Sequence, residues 1–295
     1  MESFRDHVRF LQKKALQLRL VSLKMTHAAQ LGYVGSIFSC LDILTSLYYG
    51  MLYGQPLMSF DSAKPGWEAQ DYFVLSKGHA CAVWYAILAD LGFFDVEELF
   101  HFGQMNSLLQ PHPSKKIPGV ALSSPSLAHG FSGAVGLAMS LKADRQPNRV
   151  FCVMGDGELQ EGQVWEGALT AAHYKLDNLL TIVDWNGLQV DATTRGVIGV
   201  EPLVEKFEAF GWKAIMLRDG HDFEQLLATF ERAMEIQRRP TVIIAQTISG
   251  KGLSLTENKP SYHSVVLSDQ ELQVAMFELE QELASLEAEL LPAHA

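Results

Sequence analysis

Only three of the 295 residues are cysteine, and Cys40, Cys81 and Cys152 are scattered through apolar surroundings. An odd number at such spacing makes neither a disulfide framework nor a zinc site. They read instead as small buried hydrophobes in a reducing compartment. Long apolar runs are missing too: none approaches the ~18 residues that a spanning helix needs, and the N-terminus has no signal-peptide pattern. Positive charge is scarce, with 23 Lys and Arg against 34 Asp and Glu and a formal net charge of −11, which argues against nucleic acid or a membrane as partner. There is no internal repeat, no G-x-x-x-x-G-K-S/T loop and no strand-linked G-x-G-x-x-G, so nucleotide readings gain nothing from motifs. What these absences leave is a cytoplasmic globular protein, long enough for one large α/β domain or two small ones.

The stretch Arg149–Leu188 organises the rest. Val150 to Met154 is an apolar run of the kind that forms a fully buried strand. It stops at Gly155-Asp156-Gly157, and a helical segment follows with Val164, Ala168, Ala171 and Ala172 on one face. A second apolar strand, Leu179 to Val183, runs into Asp184-Trp185-Asn186-Gly187. Both loops then lie at carboxyl ends of strands in one right-handed βαβ unit, where open α/β sheets place their ligands.

Those loops offer a particular set of atoms. Asp156 supplies a carboxylate between glycines that allow close approach; thirty positions on, Asn186 supplies an amide oxygen, and the turn through Gly187 can aim the Leu188 carbonyl at the same point. Three hard oxygens of modest charge suit an octahedral cation such as Mg²⁺, completed by water and phosphate oxygens, with Ca²⁺ as a substitute. The pattern is a metal site that tethers a diphosphate.

Elsewhere, apolar residues at three- and four-residue spacings predict a helix over 3–29, and a glycine-flanked loop, Tyr33 to Ser36, precedes a helix from about Ser39 to Tyr49. Short strands are expected at 71–76, 214–217 and 241–247, with helices at 131–142, 201–210 and 222–237 and a polar connection at 189–199. The alternation predicts a doubly wound, mostly parallel sheet flanked by helices. Ser268 to Glu271 reads as a capping box, and Leu272, Met276, Leu279, Leu283, Leu286 and Leu290 form a stripe that packs on the chain's own domain or on a partner. The expected division is a domain over 1–267 and a C-terminal helix and tail over 268–295. His221, in the helix-capping run Asp219 to Asp222, is expected to be structural.

GDG followed about thirty residues later by Asn resembles the thiamine diphosphate-binding signature, and GDGELQEGQVWEGA is similar to the transketolase branch of it. DYFVLSKGHA, Gln110-Pro111-His112-Pro113, Ser123 to Gly130 and Thr247 to His263 resemble further transketolase segments in the family's order. The resemblance implies the thiamine diphosphate-binding fold. It implies that His79, His112 and His263 are catalytic, that His79, Leu127, Gly155, Asp156, Gly157, Glu158 and Asn186 meet the cofactor, and that Asp156, Asn186 and Leu188 hold the metal. Four positions depart from the family pattern: Tyr33 stands for a histidine, and Pro111, Pro125 and Ser264 stand for glycines. Pro125 removes a backbone N–H that the family's phosphate-facing loop would offer.

The resemblance runs from about residue 10 to 265 and corresponds to the N-terminal part of a full transketolase. The pyrimidine-binding domain that carries the family's activating glutamate has no counterpart here. That implies a separate subunit bearing the domain and an α₂β₂ heterotetramer, with Glu161 and Glu166 either near the interface or simply solvated. Three readings stay open: ketol transfer from a ketose phosphate to a sugar acceptor, two-carbon transfer to a lipoyl or acyl-carrier arm, or a partner subunit without turnover.

Overall fold

The apolar runs become the strands of one sheet in the computed structural model, which describes residues 4–290 apart from 65, 67 and 191, with the side chain of Leu290 also outside the described set. In chain order the elements are α1 (Phe4–Ala29), α2 (Val34–Tyr49), a short antiparallel pair β1 (Met51–Leu52) and β2 (Gln55–Pro56), β3 (Tyr72–Leu75), α3 (Cys81–Asp90), α4 (His129–Ala143), β4 (Val150–Gly155), α5 (Gly162–His173), β5 (Leu179–Trp185), α6 (Thr194–Ile198), α7 (Leu203–Ala209), β6 (Lys213–Leu217), α8 (Phe223–Met234), β7 (Thr241–Gln246) and α9 (Asp269–Leu290). The five-stranded sheet runs β3-β4-β5-β7-β6, with every neighbouring pair parallel.

A parallel sheet covered on both faces needs apolar residues on both, and period-two alternation sorts them. In β4, Phe151 and Val153 join a core shared with α1, α2, α3, α8 and α9, while Val150, Cys152 and Met154 join a second core with α4, α5 and α7. Each large side chain buried this way contributes about 1.5–3 kcal/mol. The strands are thus the fixed frame, and the loops at their ends inherit its positions. The three thiols lie in these cores; burial pushes Cys40 and Cys81 up to about 12 and holds Cys152 well above its ordinary value. No helix of the described residues is long and apolar enough to cross a membrane.

Two local expectations need correction. Helix α2 begins at Val34, so Val34 to Ser36 belong to its first turn rather than to a loop. Gly32 and Gly35 are required by packing: a Cβ on Gly32 would lie 1.9 Å from the Val265 carbonyl oxygen, and one on Gly35 would lie 2.7 Å from Ser249 Oγ. The polar connection after β5 contains α6, capped by Thr193 Oγ1, which accepts from the Gly196 N–H at 3.1 Å. The β1/β2 pair is too short to leave a periodic signal.

At the C-terminus the capping box forms as expected. Ser268 N–H donates to Glu271 Oε2 at 2.8 Å, and Glu271 N–H reaches back to Ser268 Oγ at 3.4 Å. Helix α9 lies along α1, with Ala275 and Leu279 fully buried and Leu272, Met276, Leu283 and Leu286 against the same core. Residues 291–295 of the expected tail lie outside the described residues.

Candidate active site

Strands β4 and β5 are in register, with Gly155 beside Asp184, so the loops that leave them start side by side. Asp156 is 1% exposed and draws the two together. Its Oδ1 accepts from Gly157 N–H at 3.0 Å, while Oδ2 accepts from Gly187 N–H at 2.9 Å and from Thr194 Oγ1 at 2.8 Å. Burial, aided by nearby Asp184, nevertheless pushes its carboxyl up to about 6 against those three hydrogen bonds. Asn186 Oδ1 accepts from Leu188 N–H at 2.9 Å, and its Nδ2 donates to Ser39 Oγ at 3.1 Å. Asp156, Asn186 and Leu188 thus lie on two neighbouring loops that line one cavity.

Behind this loop pair lies a buried ion pair that the motif reading leaves without a role. Lys77 Nζ donates to Asp184 Oδ2 at 2.5 Å and to the Ser36 carbonyl at 3.0 Å, and neither charged side chain is more than 2% exposed. Desolvation alone would push the ammonium down, but Asp184 outweighs it and holds Lys77 above its ordinary value. Thr247 Oγ1 donates to the other Asp184 oxygen at 2.5 Å. The ends of β3, β5 and β7 and the first turn of α2 thus share one charged knot.

On the opposite wall, Glu158 is spent on the protein itself. One carboxylate oxygen accepts from Ser76 Oγ and, at 2.6 Å, from Ala128 N–H; the other accepts from Gly155 N–H at 3.2 Å. This ties the 124–128 loop to the GDG turn. Ala128 sits at φ 67°, a left-handed conformation unusual for a residue with a side chain, and Leu127 is 38% exposed. The Phe131 N–H at the head of α4 donates to Ser76 Oγ at 2.8 Å, which ties this helix to the end of β3.

Three imidazoles close the site. His79 Nε2 is 2.7 Å from Ser36 Oγ, its ring centroid 6.1 Å from that of His263 and 5.3 Å from that of Tyr33. Burial, with Lys77 adding, holds His79 well below its ordinary value and lowers His263 to about 4; burial also lowers His112. All three are neutral at neutral pH, each with one N–H donor and one lone pair. The Nδ1 of His263 is buried with no partner among the described residues. His221, by contrast, is fully used: Nε2 accepts from Ile248 N–H at 2.8 Å, so Nδ1 carries the proton and donates to Asp42 Oδ2 at 2.7 Å. Asp42 also pairs with Arg19 at 2.7 Å; burial opposes its charge, but Arg19 and His221 together outweigh that and lower it to about 2.

All ten residues singled out from the sequence line one cavity of about 460 Å³, with Tyr33 and Lys77 among its other walls. Gly155 lines it too, yet its φ is not positive and a Cβ there would meet nothing within 4 Å. The space beside this glycine is open, which leaves room for a ligand to approach the backbone closely. Together with the orphaned His263 nitrogen and the oxygen-rich floor, this fits a bound diphosphate and a hard cation. Six contributors were not singled out from sequence: Ser36, Ser39, Lys77, Asp184, Thr194 and Thr247. Only Asp184 left a usable trace, as a lone charge closing an otherwise apolar strand.

Residues 11–284 match the family model described as transketolase, thiamine diphosphate binding domain. This chain belongs to the transketolase family. It is 36% identical over 273 residues to a 6-deoxy-6-sulfo-D-fructose transketolase subunit of Clostridium sp. (strain MSTE9), covering 92% of this chain and 97% of the relative. It is 34% identical over 279 residues to an apulose-4-phosphate transketolase subunit of Phocaeicola vulgatus, covering 95% and 96%. Among solved transketolases, that of Campylobacter jejuni superposes with a TM-score of 0.82 at 28% identity, over 95% of this chain and 48% of that one. The five-stranded parallel sheet flanked by helices is the α/β fold of those enzymes, as the sequence predicts.

Proposed function

We propose that this chain is the N-terminal, diphosphate-binding subunit of a two-component transketolase. It moves a two-carbon ketol unit from a ketose phosphate to an acceptor. The observation that carries this reading is the single cavity where the Asp156 and Asn186 loops meet His79, His112 and His263. Asp156, Asn186 and the Leu188 carbonyl would hold Mg²⁺, and His79, Leu127, Gly155, Gly157 and the backbone around Glu158 would face thiamine diphosphate. When bound, that cofactor supplies the electron sink that lets a ketol carbon–carbon bond be cut and remade. The neutral imidazoles then orient substrate hydroxyls and exchange protons with them without adding charge to the pocket.

A partner subunit with the pyrimidine-binding domain completes the site, in an α₂β₂ assembly. Its support is the length relation: the chain spans nearly all of two relatives named as subunits and 48% of the Campylobacter enzyme. Both of these relatives are named for sugar substrates, which favours transfer between sugars over transfer to a carrier arm. The decisive assay reconstitutes the chain with the product of a neighbouring pyrimidine-domain gene. Xylulose 5-phosphate is supplied with either an aldose or a lipoyl or acyl-carrier acceptor. Product with the aldose is expected, transfer to the carrier alone would replace the acceptor, and no turnover with either would leave a non-catalytic subunit.

Protonation of Asp156 sets a pH dependence. In the cation-free chain its carboxyl titrates at about 6, above the ordinary 3.8, so protons compete with the metal below that point. Cofactor retention by the reconstituted pair should rise with pH and level off above about 6, and Asp156→Asn should remove the inflection. The folding sign is opposite. Between the two values the folded, cation-free chain binds more protons than the unfolded one, so this group makes it less stable as pH rises from about 4 to 6. Equilibrium dialysis over that range measures the first effect and melting curves the second.

A further inference from the structure

The first turn of α2 touches both halves of the site: Ser36 Oγ meets His79 Nε2, and one turn on, Ser39 Oγ meets the Asn186 amide. Ser39 is fully buried and has one proton and two lone pairs to distribute. Four groups surround its oxygen. Asp184 Oδ2 lies at 2.6 Å and the Ser36 carbonyl at 3.1 Å, and both can only accept; Lys77 Nζ at 3.4 Å can only donate. The fourth, Asn186, could present either end of its amide. The short contact to the carboxylate takes the Ser39 proton, because Asp184 is the ion-pair partner of Lys77 and has none to give. Both lone pairs then remain, one for Lys77 and one turned towards Asn186. Ser39 can therefore only accept from Asn186, and the amide must turn Nδ2 to it.

That choice matters because the two ends of an amide are nearly the same shape and opposite in chemistry. With Nδ2 held by Ser39, Oδ1 lies on the other side, where it also accepts from Leu188 N–H. We infer that Ser39 is a positioning residue that fixes which end of the Asn186 amide a cation meets. This rests on the reading that Asn186 is a metal ligand. The hydroxyl gets its fixed direction from Asp184, and Asp184 gets its place from Lys77 and Thr247, so the preference originates in the buried ion pair and reaches the metal loop through one oxygen. Groups that orient a ligating side chain in this way typically change metal affinity 10- to 100-fold when removed.

The test measures Mg²⁺ rather than turnover. In the reconstituted pair, the Mg²⁺ concentration for half-maximal thiamine diphosphate retention is compared among the parent chain, Ser39→Ala, Asn186→Ala and the double variant. Ser39→Ala should raise it about tenfold, at the low end of that range, while lowering the melting temperature of the cofactor-free chain by no more than a few degrees. In the Asn186→Ala background it should add nothing, since the group it orients is gone. An unchanged Mg²⁺ requirement in Ser39→Ala, or the same fold-change with and without Asn186, overturns the inference. If the parent pair retains no thiamine diphosphate at any Mg²⁺ concentration, the metal site itself fails, which is a different result from either.

Discussion

Lys77→Met should destabilise the chain by about 3–5 kcal/mol, the usual result of removing one partner of a buried ion pair. Methionine fills nearly the same volume, so little of the loss is packing. The cost falls on Asp184, which is 0% exposed and would keep only Ser39 and Thr247 as donors, and on the Ser36 carbonyl, which loses its lysine. In a domain of this size that corresponds to a fall in melting temperature on the order of 10 °C. Adding Asp184→Asn to the lysine variant should recover part of it, because the uncompensated charge is then gone. Denaturant titration of the two variants decides the matter. A single variant within about 1 kcal/mol of the parent would mean that the pair contributes nothing net.

Asp156→Ala should separate stability from function in the opposite sense. Cofactor retention should be lost, by at least 100-fold in the Mg²⁺ required, because the only carboxylate among the three proposed ligands is gone. The cofactor-free fold should not suffer in proportion. At neutral pH the parent must keep ionised a buried group that titrates at about 6 rather than 3.8. At about 1.36 kcal/mol per pKa unit this costs on the order of 3 kcal/mol. Removing it releases that strain and strands three donors, from Gly157, Gly187 and Thr194, at about 1 kcal/mol or more each. The two nearly cancel. Melting near the parent value with no cofactor bound is the expected pair of results; normal retention would discard the metal assignment.

How much of this was legible in the sequence depended on distance along the chain. The strands before Asp156 and Asn186 could be read, and the two residues placed at their ends, because proposed ligand and scaffold share forty consecutive residues with a strong apolar rhythm. The three histidines came only through resemblance, since nothing in the spacing of 79, 112 and 263 says that they meet. Ser39 and Thr194 were invisible. A serine 147 positions from the amide it holds, or a threonine inside a polar connection, looks like any other small polar residue until the fold brings it home. The packing of Gly32 was invisible for the same reason: its neighbour is the Val265 backbone, and a glycine forced by a remote contact carries the same letter as any other. Ala128 shows the converse, since no rule of composition would place alanine at φ 67°.

The sequestered thiols offer a practical route to the assembly. With Cys40 and Cys81 pushed up to about 12 and Cys152 higher than its ordinary value, none presents thiolate to an alkylating dye while the chain is folded. A single cysteine engineered at exposed Glu161 would then be the one labelled position. Fluorescence from that dye could report docking of the second polypeptide, its rate and its stoichiometry, without first deleting any native sulfur.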